Sequence, residues 1–276
     1  MLRLATQQLN PFGWLERKVL FVPERSFRGN PGHVGLEYTD IFPVAPSGPG
    51  RTTREVKLHG WHMPFESSSG SPVPVWLILH GNGGNISVRL DQYKAIRDRY
   101  EASLVAIDYR GYGKSEGTPS EQGFYADALA AYELTQQLHP NSKIIVFGRS
   151  MGGAVAARLA SVVAPDALIL EASISSMREI VRERAPWTHY SPVRFMVRSR
   201  FETTSYVANS SVPKLIFHGD SDRTVSYHHS QRIFAAASEP KQLEIIPNGD
   251  HDGLDLVNPD QYHSVVRDFL EMYGVL

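Results

Sequence analysis

The sequence predicts an α/β fold: a mostly parallel, doubly wound sheet with a small helical cap. Three observations predict it. Short, continuous runs of Val, Ile and Leu recur along the chain, segments of helical period separate them, and the 276 residues suit one large domain. Continuous rather than alternating apolar runs are what a parallel sheet needs when helices cover both its faces.

The first residues, 1–33, read as a segment that packs on its own domain. Leu2, Leu4, Leu9, Phe12, Trp14, Leu15, Val19, Leu20 and Phe21 are scattered through it among polar residues. Scattered Leu, Phe and Trp also suit peripheral contact with a membrane surface through this segment, which is the alternative reading. Residues 34–276 form the main domain. From Val34 to Glu66 two strands surround a turn at "APSGPGR", an antiparallel start to the sheet. Six runs follow: "VWLILHG", "SLVAIDY", "KIIVFG", "ALILEA", "KLIFHGD" and "QLEIIP". Together with the first two, they bring the sheet to about eight strands. Helical segments are predicted over Ser87–Tyr100, Glu121–Leu138, Met151–Val162, Ser226–Ser238 and Pro259–Tyr273. Residues 173–213 contain no strand and are rich in Arg and aromatics. A connection of that length is functional or folded on itself, and it is read as a cap over the carboxyl ends of the strands.

Composition narrows the function. A hydrophobic content of 42% and a charged content of 21% are those of an ordinary globular chain. A net charge of −1 gives no reason to expect nucleic acid or an anionic membrane as the main partner. The sequence contains no cysteine, which removes disulfides, thiolate metal sites and a cysteine nucleophile. No stretch of about 18 apolar residues exists to span a bilayer. The N-terminus also lacks the apolar core of a signal peptide, so a cytoplasmic location is expected. No cofactor is implied, and no His/carboxylate spacing argues for a metal. Oligomeric state is left open.

The chemistry centres on "GRSMG", Gly148–Gly152, which follows an apolar run and opens a helix. G-x-S-x-G in that context is a nucleophile elbow. The turn is so sharp that side chains at the glycine positions would strike neighbouring backbone, and it presents Ser150 at a helix N-terminus. A serine hydroxyl needs a base, and the base needs a partner that holds its tautomer. "FHGDSDRTV" and "IPNGDHDGL", after later strands, supply Asp222 and His251 in the order Ser, Asp, His. Asp220 falls at its strand end and reads as a turn anchor, and Glu171 is the competing acid. Asp250 and Asp252 flank His251 but point away from its ring. His80 and His218 read as satisfied core or supporting groups, and His228 and His229 as solvated. Negative charge developing on a substrate oxygen needs donors. The backbone N–H of Met151 supplies one, and that of Asn82, in "HGNGGN", supplies the second.

"HGNGGN", "DYRGYGKSEGTPSE", "GRSMGG", "HGDSDRTV" and "GDHDG" together resemble the α/β-hydrolase superfamily of serine hydrolases. The resemblance is nearest to the branch that holds monoacylglycerol-lipase-like enzymes and acyl-protein depalmitoylases. The resemblance runs from about Val56 to the C-terminus. It implies the α/β-hydrolase fold, with Ser150 as nucleophile, Asp222 as acid, His251 as base, and the Asn82 and Met151 N–H groups as the oxyanion hole. "DYRGYGKSEG" matches a stretch whose polar residues are structural. The depalmitoylases carry a cysteine-rich, lipidated N-terminus, whereas this chain has no cysteine, a departure that weighs against a membrane-bound thioester substrate. The function expected is hydrolysis of carboxylic esters or thioesters of apolar acyl groups through an acyl-enzyme. Trp187, Tyr190, Phe195, Met196 and Phe201 would line an apolar pocket. The segment's arginines (Arg178, Arg182, Arg184, Arg194, Arg198, Arg200) would meet an anionic head group or form a solvated face. A peptidase or amidase acting on small substrates would use the same triad, and a non-catalytic scaffold is the third reading.

Overall fold

The computed structural model describes residues 20–48, 54–184 and 198–276. Among them the strands are β1 (Val22–Pro23), β2 (Thr39–Ile41), β3 (Val44–Pro46), β4 (Glu55–Lys57), β5 (His59–Met63), β6 (Val75–Leu79), β7 (Gly83–Gly84), β8 (Ser103–Asp108), β9 (Ile144–Arg149), β10 (Ala167–Glu171), β11 (Lys214–Gly219) and β12 (Lys241–Ile246). Eight of them form the main sheet in the order β12-β11-β10-β9-β6-β8-β5-β2. The pairings from β12 to β8 are parallel, whereas β5 and β2 enter antiparallel. Two small sheets accompany it, β1 beside β7 and the β3–β4 hairpin. Every residue of β6, β8, β9, β10 and β11 is buried, as a sheet covered on both faces requires. β12, at the edge, is only half-buried apart from Ile246.

The helices are α1 (Leu90–Tyr100), α2 (Glu121–Leu138), α3 (Met151–Ala160), α4 (Met177–Arg184), α5 (Thr203–Ala208), α6 (His228–Ala236), α7 (Leu254–Val257) and α8 (Pro259–Met272). Local chemistry sets where they begin. Ser120 caps α2 by accepting the Gly123 N–H at 3.1 Å. Asn258 caps α8, with Pro259 at its first position, where no intrahelical donor is needed. The cores on the two faces follow from this arrangement. Phe124 of α2 and Ala154, Val155 and Ala157 of α3 belong to one, and Trp76, Phe147, Phe217, Tyr262 and Phe269 to the other.

Phe21, from the N-terminal segment, is buried edge-on against Phe124, 5.2 Å between centroids, and near Phe201. The segment is thereby tied to the first core. The apolar positions before Leu20 lie outside the described residues, as do Trp187, Tyr190, Arg194, Phe195 and Met196. Within 173–213 the described residues form α4 and α5. No helix among the described residues is long and apolar enough to cross a membrane.

The polar residues of "DYRGYGKSEG" are structural. Arg110 forms a buried ion pair with Asp127 at 2.6 Å and donates to the Pro46 carbonyl at 3.0 Å, fastening the hairpin to α2. Ser115 donates to the Asp108 carbonyl and accepts the His59 N–H.

Burial drives several histidines toward the neutral form. Burial pushes His263 down to about 4, and its Nδ1 lies 2.7 Å from the Tyr100 hydroxyl, which donates to the unprotonated ring. His139 is likewise lowered to about 4, by burial and then by His62. A histidine whose folded pKa lies below its unfolded value binds fewer protons in the native state. Its stabilisation is therefore complete above pH of about 6.5 and is lost as pH falls toward 4. Thermal unfolding followed by circular dichroism should show a midpoint dropping through this window. In His263→Gln the drop should be shallower, by up to one proton's worth of slope.

Candidate active site

β9 lies inside the sheet, between β10 and β6, and ends at Arg149. α3 begins at Met151, so the chain must reverse within the single residue Ser150. Ser150 does this at φ 54° and ψ −120°, a conformation that costs on the order of 1–3 kcal/mol for a residue with a Cβ. Neighbours hold it there. Its N–H donates to the Glu171 carbonyl at 2.9 Å, and its own carbonyl accepts the Gly153 N–H at 3.1 Å. A Cβ on Gly152 would lie 2.2 Å from the Leu79 carbonyl oxygen and 2.3 Å from that of His80, so only glycine lets the elbow close on the end of β6. Met151 is the first helical residue, and its N–H has no acceptor within the helix. Gly81 lies against the other side of the serine, its α-hydrogen facing Ser150 Cβ.

Asp222 follows β11, and His251 follows β12. The two loops are built as one unit. Gly219 approaches Gly249 so closely that a Cβ would lie 2.1 Å from the Gly249 carbonyl oxygen. Ser221 N–H donates to that oxygen at 3.0 Å, and Asp220 anchors the pair by accepting the Asn248 N–H at 2.7 Å. Across this unit His251 Nδ1 lies 2.7 Å from Asp222 Oδ2. Asp222 also accepts the Thr224 and Val225 N–H groups and, at 3.0 Å, Nε2 of His218. Burial works to raise the Asp222 pKa, but the bonds from His218, His251 and Val225 outweigh it and hold the carboxyl well below the usual carboxylate range. His218 is itself fixed by Ser230, 2.6 Å from its Nδ1.

Ser150 Oγ makes no hydrogen bond to His251 among the described residues, as is common in free enzymes. The elbow and the histidine loop meet instead through Arg149. Its guanidinium donates to the His251 carbonyl and, at 2.5 Å, to Asp252 Oδ1. Its Nε lies 3.2 Å from Glu171 Oε1, an ion pair without hydrogen-bond alignment. The other oxygen of Glu171 accepts the Tyr262 hydroxyl at 2.7 Å. Both oxygens of Glu171 are thus engaged, one by Arg149 and one by Tyr262. Asp250 accepts the His251 N–H, so both flanking carboxylates face away from the ring.

The Asn82 side chain turns toward the N-terminal segment. It donates to the Leu20 carbonyl at 2.7 Å and accepts the Val22 N–H and the Tyr112 hydroxyl. Only its backbone is left to face the elbow. His80, two residues before it, is buried, and burial lowers its pKa although Asp108 opposes the shift. Its Nδ1 must carry the proton, because it lies 2.7 Å from the Gly81 carbonyl. Nε2 lies 3.7 Å from Asp108 Oδ1 without a hydrogen bond, so of the two readings, satisfied core or supporting group, the first does not hold in full. His229 corrects a second expectation. It is buried rather than solvated, bonded through Nδ1 to Ser175 and through Nε2 to Glu183. The signal for Arg149 was available: a cation ends a wholly apolar strand and requires a carboxylate. The register pairs it with Glu171, at the end of the next strand. Among the described residues no group of three His, Asp or Glu side chains could hold a metal ion.

The short Asp222–His251 contact should give a proton NMR resonance far downfield of the amide envelope. It should disappear in Asp222→Asn and move in His218→Leu, which removes a donor from the same carboxylate oxygen. A spectrum unchanged in Asp222→Asn would refute the pairing.

Residues 70–202 match the family described as serine aminopeptidase, S33. An uncharacterised protein of Mycobacterium tuberculosis is 33% identical over 86% of this chain and 83% of its own length. In Arabidopsis thaliana, the alpha/beta hydrolase domain-containing protein WAV2 is 31% identical over 94% of this chain and 88% of its own. The esterase Pf2001 of Pyrococcus furiosus superposes with a TM-score of 0.72 at 19% identity, covering 92% of this chain and 98% of that one. Sheet order, elbow and a relative of this extent agree, and the chain belongs to the α/β-hydrolase superfamily.

Proposed function

We propose that this protein hydrolyses carboxylic esters or thioesters of apolar acyl groups through an acyl-enzyme on Ser150. The observation that carries the reading is the Asp222–His251 pair joined to a strained serine turn. In this reading His251 Nε2 takes the Ser150 proton as Oγ attacks the carbonyl carbon. Asp222, held ionised by its four donors, keeps the proton on Nδ1 and stabilises the imidazolium. The carbonyl π electrons move to oxygen, which meets the N–H groups of Met151 and Asn82 at the N-terminus of α3. Collapse expels the alcohol or thiol, protonated by His251. Water then enters by the same route, releases the acid and restores Ser150. Structural neighbours whose names say esterase support the bond type by analogy of fold alone.

A second reading, a peptidase or amidase, is favoured by the description of the matched family as a serine aminopeptidase. The same atoms would serve it, with an amine as leaving group. p-Nitrophenyl esters of increasing acyl length and the matching p-nitroanilides separate the two, and esters are expected to turn over faster, with a chain-length optimum. A fluorophosphonate probe should label the wild-type protein and fail on Ser150→Ala, whose turnover should fall by a factor on the order of 10⁴–10⁶. Asp222→Asn should cost roughly 10⁴ in kcat, far more than Glu171→Gln, since it leaves His251 without the acceptor that sets its tautomer. The reverse ranking would move the acid to β10. A folded protein that resists the probe would bring the scaffold reading forward.

A further inference from the structure

Arg149 stands at the unspecified x of G-x-S-x-G, adjacent to Ser150, and is one of the most buried cations in the structure. Its side chain is 3% exposed. A buried guanidinium is expensive unless its donors are placed, and these are distributed with a pattern. One contact runs sideways to Glu171, whose main-chain carbonyl holds the Ser150 N–H and whose carboxylate is further fixed by Tyr262 of α8. The others run forward to the His251 carbonyl and to Asp252, the next residue of the same loop. Asp252 also lies 3.8 Å from Arg89, in the connection that follows the glycine-rich loop. Asp252 is 78% exposed, so the arrangement is not a closed core pair seeking only neutrality.

The geometry points to Arg149 as a positioning residue for the proposed hydrolysis. It clamps the main chain of His251 to the elbow that carries Ser150, and so sets how the base meets the nucleophile. The inference rests on the reading of Ser150 and His251 just given. Its physical reason is that the Asp222–His251 bond fixes the ring's tautomer and one end of the ring. Nothing in that bond fixes the distance from the ring to an elbow on another strand. Among the described residues, Arg149 is the elbow residue whose side chain hydrogen-bonds the His251 loop. Its planar fork reaches several acceptors at once, which a lysine ammonium at the same position cannot do. Misplacement of a reacting group by about 1 Å costs on the order of a hundredfold in rate.

The test uses the full-length protein, a fluorophosphonate to read inactivation at Ser150 (kinact and KI), and p-nitrophenyl acetate to read kcat and KM. Arg149→Lys is expected to lower kinact and kcat by about 10- to 100-fold, with KI and KM within about twofold. Arg149→Met strands the Glu171 carboxylate, so its partner variant is the charge-balanced Arg149→Met/Glu171→Gln. If Arg149 only neutralises Glu171, the double variant regains both melting temperature and kinact. Under the proposal it regains melting temperature while kinact stays low. Asp252→Ala, at an exposed position that should not endanger folding, removes one arm and should lower kinact by roughly 3- to 10-fold at unchanged KI. Wild-type kinact in Arg149→Lys or in the double variant would overturn the proposal, as would wild-type kinact in Asp252→Ala should the Arg149 variants not fold. If the wild-type protein itself is not labelled at Ser150, the hydrolase reading fails first and the clamp falls with it, a result distinct from labelling that ignores Arg149.

Discussion

The structure is organised around one backbone conformation, the positive φ of Ser150 at the end of a buried strand. A chain leaving the middle of a covered sheet has little room to turn, and this one reverses in a single residue. That requirement propagates outward. Gly152 must lack a side chain because the carbonyls of Leu79 and His80 occupy the space. The Glu171 carbonyl must be present to hold the Ser150 N–H, which commits the end of β10 to the turn. α3 must then pack its alanine face on the same sheet, directly behind the serine.

A second constraint is the division of labour between sheet and loops. Parallel strands buried on both faces have no position for exposed chemistry along their length, so reactive groups collect beyond their carboxyl ends. Ser150, Asp222 and His251 follow three different strands, which would leave their spacing to loop flexibility were the loops independent. They are not. Gly219 and Gly249 touch backbone to backbone, the turns around Asp220 and Asn248 share hydrogen bonds, and Asp222 is held by three donors before it meets His251. The acid and its histidine therefore behave as one rigid corner set against the elbow.

The strands were readable because burial on both faces writes itself as unbroken Val, Ile and Leu, as in "VWLIL" and "ALILE". The serine turn was readable because its glycines answer a local steric demand. What stayed hidden depends on contacts between distant segments. His229 opens a helix and looks solvated until Ser175 and Glu183, from the segment after β10, are found covering it. His80 precedes a glycine in an ordinary way, and nothing local tells that its Nε2 is buried near Asp108 without a hydrogen bond. Arg149 occupies the position that the motif leaves open, and its meaning comes from the register with Glu171 and the approach of the His251 loop.

The Asn82 side chain carries a consequence for the order in which the molecule assembles. Its bond to the Leu20 carbonyl joins residues 62 positions apart, and β7 pairs with β1 over a similar span. Contacts of such separation carry a large loop-closure entropy and form after the local ones they fasten. The connection after β6 therefore reaches its final shape only once the N-terminal segment has docked. Central strands and their helices can assemble first, while the loop beside Ser150 stays unfastened until residues 20–23 pack against it.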